Sequence, residues 1–455
     1  MQISIIFCNF AAIFSKKLNF CKKMENIEPI IEEQLEPKEP QQMTLDPFFR
    51  IHDFLVAHAF MPIRRQLMDE IDWEDRLIAI KGGRGVGKTD FLLSRVKEIE
   101  TEWRNMPEPE YKGRRKPRKS IKDIRPCLYV SFNDFCFTEH TLLELAGAFA
   151  KTGGKYLFLD QLFKYPNWSR ELKRCYSKYR DLHIVFCATP VMPIDEDNND
   201  IKGIVKTYNL RGFSFREYLN IQTGLKLRSY TLEEIIQRHA SISREICERV
   251  RPLDYFRNYL DHGYYPSYLE SKSFETELLK VMNSQLEVDV LMIKQIDVAC
   301  LHKLRKLLYI LMQDAPCALN VSNISEAIGL SRATTMNYIK YLKDSRLINL
   351  LYPEGKAFPM KPTKVYMHNT NVAQMDIARM IAPIDLYETY FYMAVHGAHK
   401  VNATDRSAMF IVDGKYYFDV REKASMRDTI RPTAVGEVEL GRGNQMPLWL
   451  LGFLY

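Results

Sequence analysis

Apolar positions follow two rhythms along the chain, and their alternation predicts the fold. The runs Leu77–Ile80, Cys127–Phe132, Tyr156–Leu159 and Leu182–Ala188 are apolar at nearly every position. Continuous apolarity of this kind marks strands buried on both faces of a parallel sheet. Between and around them, Phe91–Trp103, Thr141–Lys151 and Trp168–Tyr179 carry helical spacing, and two short helical patterns lie between Pro47 and Glu70. Strands alternating with helices predict an α/β domain, a doubly wound parallel sheet with right-handed crossovers.

The rhythm then changes. From Thr231 to Val298 the signals are helical, with Leu232–Ile246 the clearest. Leu301–Leu311, a turn at Asp314-Ala315-Pro316, Val321–Ile328, a break at Gly329-Leu330-Ser331 and Arg332–Asp344 follow in order. Leu347–Leu351 then leads to Pro353-Glu354-Gly355. Helix, short helix, turn, helix and β-wing is the order of a winged helix-turn-helix, with Ser331 as N-cap of its last helix. Residues 366–455 read as an α+β segment whose ending, Pro447–Tyr455, is too apolar for a free tail and is expected to be a buried strand. The predicted division is a lead-in at 1–45, a P-loop α/β domain at 46–225 and a helical segment at 226–298. A winged helix at 299–365 and an α+β domain at 366–455 complete it.

Composition narrows this picture without redrawing it. Of 455 residues, 46% are apolar, ample for real cores and incompatible with global disorder. The net charge of +7 is unevenly spread. Lys16, Lys17, Lys22 and Lys23 stand without an acid in residues 1–23, which read as a leader or an irrelevant tail before Met24. Eight basic residues between Tyr111 and Arg125 face Asp123 alone. Apart from these two stretches the chain is mildly acidic, so the overall charge argues little for nucleic acid, while the 112–125 loop offers phosphate contacts or is simply a charged insertion. The nine cysteines form no Cys-x-x-Cys pair and no His-Cys cluster, as expected of reduced thiols in a cytoplasmic protein. No apolar run reaches membrane-spanning length, and no membrane partner is expected.

The chemistry centres on Gly82-Gly83-Arg84-Gly85-Val86-Gly87-Lys88-Thr89, with Asp90 behind it, between the first strand and a helix. The spacing fits G-x-x-x-x-G-K-[ST], in which backbone N–H groups curl around phosphates and the helix N-terminus adds its dipole. Lys88 is then expected to reach the outer phosphates of ATP and Thr89 to offer its hydroxyl to Mg²⁺. Asp160, closing the run Tyr156–Leu159, is the expected acid that holds Mg²⁺ through its water shell. Gln161 follows where many such enzymes carry a water-polarising glutamate. An amide orients water but accepts no proton at neutral pH. Thr189, at the end of the fourth strand, is either a γ-phosphate sensor or a plain strand-end residue.

Several stretches together resemble the bacterial AAA-type ATPases of the AAA_14 group, of the Bacteroides type. They are Leu128–Asn133, Gly153–Asp160, Lys164–Trp168, Leu210–Leu219, Gly263–Pro266, Lys364–Asn371 and Pro447–Tyr455. The resemblance runs from about residue 46 to the end. It implies an AAA-like ATP-binding domain, a helical segment, a winged helix and a C-terminal domain similar to PD-(D/E)xK nucleases. Three departures touch hydrolysis: Asp160-Gln161 for Asp-Glu, Cys187-Ala188-Thr189-Pro190 for Thr-Gly-Ser-Ser, and Gly203-Ile204 where the family carries arginines. ATP binding is expected to survive them and turnover to be impaired.

The remaining candidates are weaker. On Arg332–Asp344, the polar Arg332, Thr335, Asn337, Lys340 and Lys343 could face double-stranded DNA, while Met336, Ile339 and Leu342 form the expected buried stripe. The alternative is a solvated face serving a protein partner or a homo-oligomer. In the nuclease-like segment the family's acidic and basic positions fall on Glu388, Met409, Asp419 and Lys423. Methionine binds no Mg²⁺ there, so degeneracy is expected. Three readings are thus open: a nucleotide-dependent switch or slow ATPase, a non-catalytic DNA- or protein-binding member with structural ATP, and an ATP-dependent nuclease.

Overall fold

The computed structural model describes residues 43–107, 123–194, 197–270, 273–375, 380–404, 408–427 and 429–455. The expected leader and most of the basic loop at 112–125 lie outside the described residues. Helices α1 (Asp46–His58) and α2 (Leu67–Glu70) precede β1 (Leu77–Gly82), and α3 (Lys88–Asn105) follows it at once. The α/β pattern continues with β2 (Cys127–Ser131), α4 (Leu142–Lys151), β3 (Tyr156–Asp160), α5 (Trp168–Lys178), β4 (His183–Ala188) and β5 (Lys206–Leu210). The strands form one sheet in the order β2-β3-β4-β1-β5, parallel throughout. Leu77 to Ile80 are fully buried, as their unbroken apolarity requires of a strand with neighbours on both sides and helices on both faces.

The order matters more than the number of strands. β4 lies between β1 and β3, so the C-terminal ends of these three strands, carrying Gly82, Ala188 and Asp160, stand side by side. Ligands of open parallel sheets bind at this edge.

Helices α6 (Phe215–Thr223), α7 (Leu232–Cys247), α8 (Leu253–Asn258) and α9 (Phe274–Ser284) come next. Capping boxes start α4, α6 and α7, at Thr141/Glu144, Ser214/Glu217 and Thr231/Glu234. Two stretches, Tyr259–Gly263 and Gln285–Met292, widen to π-helical turns. Then come α10 (Leu301–Asp314), α11 (Val321–Ile328), α12 (Arg332–Asp344) and an antiparallel pair, β6 (Ile348–Leu351) with β7 (Lys364–Met367). Ser331 caps α12 by accepting from the Thr334 N–H. Thr335, expected on the polar face, is instead fully buried and donates to the Ser331 carbonyl at 2.9 Å. Met336 is only partly buried, and Tyr338 joins Ile339 and Leu342 in the apolar stripe.

After α13 (Thr370–Ala373) and α14 (Pro383–His396), a second five-stranded sheet runs β12-β11-β10-β9-β8. Its strands are β8 (Val401–Asn402), β9 (Phe410–Val412), β10 (Tyr416–Arg421), β11 (Thr433–Val435) and β12 (Gln445–Pro447). The apolar ending is buried as its composition requires, but Leu448–Phe453 form a 3₁₀ helix rather than a strand. Every side chain from Leu448 to Leu451 is fully buried, a pattern that a short helix enclosed on all sides shares with a strand buried on both faces. Trp449 and Phe453 lie 6.5 Å, ring to ring, from Phe215, locking the ending onto α6.

Residues 45–455 form one compact unit whose apolar core runs without a break from Val56 to Phe453. The described cysteines are all free, and no described helix is long and apolar enough to cross a membrane. Trp449 is the largest fully buried side chain of this core. Trp449→Ala should cost about 3–5 kcal/mol, read as a lower urea midpoint with loss of structure around α6.

Candidate functional site

Gly85 and Gly87 have φ of 77° and 85°, the left-handed region where a side chain is strained. Gly87 is the N-cap of α3, so the loop turns directly into a helix whose first residues are Lys88 and Thr89. Lys88 Nζ donates to the carbonyls of Gly82 and Gly83 at 2.8 and 2.7 Å. Burial pulls its ammonium below the ordinary lysine range, countered by the nearby Cys187, Asp160 and Asp289.

Asp160 is brought to the same place by β3 and is 5% exposed. Its Oδ2 accepts from Thr89 Oγ1 at 2.6 Å and from the Tyr129 hydroxyl at 2.9 Å, and its Oδ1 accepts from its neighbour's backbone, Gln161 N–H, at 2.8 Å. Burial, with the Asp160 carboxylate alongside, pushes the Tyr129 phenol far above its usual range, so it remains a donor. Gln161 sits in left-handed backbone with φ 57°. Thr189 is buried and its hydroxyl has no hydrogen-bond partner among the described residues. It lines a small cavity of about 30 Å³ together with Lys88, Asp160 and Gln161, room for about one water.

Beside this lies a larger cavity of about 310 Å³. Gly85, Gly87, Lys88, Thr89, Asp90, Asp160 and Gln161 form one wall, Phe60, Met61 and Pro62 another, and Pro266 and Glu270 a third. Asp90 is held above the usual carboxylate range, chiefly by burial and also by the charge of Glu270. The donors suit Mg²⁺ arriving with a nucleotide: one carboxylate and one hydroxyl already adjacent, with phosphates and water left to complete the shell. No group of three or more His, Cys, Asp or Glu among the described residues would hold a metal unaided.

Sequence reading missed the partner of the loop. Arg84 donates through Nε and Nη2 to Asp289, a two-pronged ion pair with distances of 2.9 to 3.2 Å. Asp289 is fully buried, and burial raises its carboxyl, countered by Arg84. Asp289 lies 205 residues away, within the π-helical stretch Gln285–Met292. A π-helical turn breaks the 3.6-residue spacing, so no periodic signal marks the position. Arg84 is also stacked near Phe163, 5.2 Å from its ring centre.

The other candidates are not brought to this site. Gly203 and Ile204 fall in a turn before β5. Glu388 is buried, accepting from Lys364 at 2.5 Å and from the Tyr366 hydroxyl at 3.2 Å. Asp419 pairs with Arg431 at 3.7 Å and accepts from the Met409 N–H, while Lys423 is exposed beside Glu422. Arg332 and Asn337 are exposed on α12, whereas Lys340 bonds Asp344 at 2.8 Å.

Comparison with known proteins fits this geometry. Residues 74–219 match the AAA_14 family, described as an AAA domain, and residues 253–373 match DUF8612, a domain of unknown function. The segment holding the phosphate loop, Asp160 and Thr189 is thus the part that matches an AAA domain, as the sequence resemblance indicated. The Arg84–Asp289 pair joins the two matched segments. The chain is similar to "Uncharacterized protein MJ1637" of Methanocaldococcus jannaschii, with 22% identity over 291 residues. That alignment covers 61% of this chain and 57% of the relative, so the chain spans little more than half of the relative's length. The solved structure of C. elegans PCH-2 aligns over 68% of this chain and 70% of its own, at 12% identity and a TM-score of 0.23, too low to bear on the fold.

Breaking the loop's ion pair should be costly. Asp289→Ala leaves the Arg84 guanidinium poorly solvated and is expected to lose about 3 kcal/mol, read from urea unfolding. The double variant Arg84→Met/Asp289→Leu should recover most of that loss.

Proposed function

We infer that this chain is an ATP-binding AAA-type protein that works as a nucleotide-dependent switch or slow ATPase with an impaired hydrolytic site. The observation that carries the reading is the end of β3. There, a hydrogen-bonded Asp160 meets Thr89, and the residue beside it is Gln161. In this reading the N–H groups of the loop and the start of α3 cradle the phosphates, and Lys88 exchanges two loop carbonyls for phosphate oxygens. Thr89 and Asp160 hold Mg²⁺, which when bound neutralises phosphate charge. Phe60, Met61 and Pro62 offer the apolar wall for a base. Gln161 orients a water but takes no proton from it, and the unpartnered Thr189 hydroxyl supports a γ-phosphate sensor.

The domain division follows the same reading: an AAA-like domain at 46–225, a helical segment at 226–298, a winged helix at 299–365 and a degenerate PD-(D/E)xK-like domain at 366–455. The order α10, α11, α12, β6, β7 and the Ser331 cap support the winged helix. Met409, and the separate ion pairs of Glu388 and Asp419, support degeneracy. In the alternative reading, ATP is structural and the protein binds double-stranded DNA or a protein partner; the exposed Arg332 and Asn337 of α12 favour it. A cytoplasmic location and homo-oligomeric assembly complete the proposal.

Nucleotide affinity and γ-phosphate release separate the readings. Lys88→Ala should abolish ATP binding. Gln161→Glu should raise turnover by roughly tenfold or more over the wild type. Wild-type turnover at the rate of ordinary ATPases would overturn the impaired-site reading.

A further inference from the structure

The nucleotide cavity is not the largest in the molecule. A cavity of about 730 Å³ opens where the ends of β1, β4 and β5 meet α12 and the end of α14. It shares no lining residue with the nucleotide cavity. Its walls carry Lys81, Arg211, Lys294, Lys340, Lys343 and Arg346, against Asp197 and Asp344. Asp344 is shared by three ammonium groups, with Lys340 at 2.8 Å, Lys343 at 3.8 Å and Lys294 at 3.9 Å. One carboxylate cannot neutralise three lysines, so positive charge remains concentrated in a concave, partly desolvated space.

Two arginines are built into this wall. The Arg211 guanidinium lies 4.6 Å from the Tyr455 ring centre, and against Gly397, where an added Cβ would stand 1.8 Å from its Cζ. It is therefore held flat and rigid, and its Nη1 is buried with no hydrogen-bond partner among the described residues. Arg346 adopts left-handed backbone with φ 63°, a conformation that costs a non-glycine residue about 1 kcal/mol or more. Its Nη2 donates to Asn209 Oδ1 at 2.9 Å. The cavity also meets His368 and His396, lowered to about 3 and about 4, mainly by burial and then by neighbouring cations. Both stay neutral near pH 7 and can donate or accept.

We propose that this cavity binds a small phosphorylated anion at a second site, distinct from the ATP site, with Arg211, Lys340, Lys343 and Arg346 as its principal contacts. Guanidinium and ammonium groups lining a concave space are matched by phosphate or carboxylate oxygens, and several of them together select a multiply charged group. The volume lies in the range of small-molecule sites, and six cations line the one cavity. A duplex would instead meet such charges spread along an open face. The bound anion bridges the sheet, α12 and α14. The proposal does not depend on the nucleotide reading.

Titration calorimetry with inorganic tripolyphosphate on the full chain tests it. In Lys88→Ala, tripolyphosphate should still bind at about one per chain. Adding Lys340→Gln/Lys343→Gln should weaken that binding roughly tenfold or more. Both lysines are partly exposed, 38% and 50%, so the fold should persist; circular dichroism checks it. If Lys88→Ala fails to fold, the decision rests on the wild type: Lys340→Gln/Lys343→Gln alone should remove one of two sites. Loss of all binding in folded Lys88→Ala would overturn the proposal. So would affinity untouched by the lysine changes, or binding to this cavity by 5′-phosphorylated duplex DNA but not tripolyphosphate.

Discussion

A carboxylate that is 5% exposed must be satisfied by its surroundings, and the core of this molecule is arranged to satisfy Asp160. Three donors reach it from three places: Thr89 at the start of α3, Tyr129 on β2 and its neighbour's backbone at Gln161. Those donors meet only because β4 sits between β1 and β3 while β2 lies beside β3. Strand order therefore decides the chemistry of the site. A slip of β3 by one residue would turn Asp160 to the other face and leave the Thr89 hydroxyl without its acceptor.

The second constraint acts across the chain. The phosphate loop is not held by the sheet alone, because Arg84 anchors it to Asp289 and the residues around Tyr265 and Pro266 press against Gly85 and Gly87. The helical segment is thus part of the loop's environment. Further on, Gln285 donates to the Ser345 carbonyl, and Arg346 reaches the end of β5. Polar contacts thus run from the loop through the helical segment to the residues after α12, which supports the proposed switch.

Much of this was legible in the sequence. Unbroken apolar runs located β1 to β4, since a strand buried on both faces has no polar positions to confuse the pattern. Gly82–Thr89 and Asp160 were readable because their motif fixes residue types at a set spacing, and the structure brings Thr89 and Asp160 together. The bounds of α11 and α12 were set by Gly329 and the Ser331 cap. Other features left no local trace. Asp289 sits in a π-helical turn, and its role depends on an arginine 205 residues away. Thr335 looks polar on paper but buries its hydroxyl against the Ser331 carbonyl. The apolar ending looked like a strand because unbroken apolarity records burial alone, which a buried strand and the 3₁₀ helix found here share. The basic cavity gathers Lys81, Arg211, Lys294 and Arg346 from four separate stretches, none of them notably basic alone.

In the proposed function the site binds ATP, while Gln161 orients a water without accepting its proton. The most direct measurement incubates the purified chain with ATP and Mg²⁺, isolates the complex, denatures it and identifies the released nucleotide. Close to one nucleotide per chain is expected, recovered as intact ATP after many minutes. Recovery of ADP within seconds, or of no bound nucleotide, would contradict the proposed function.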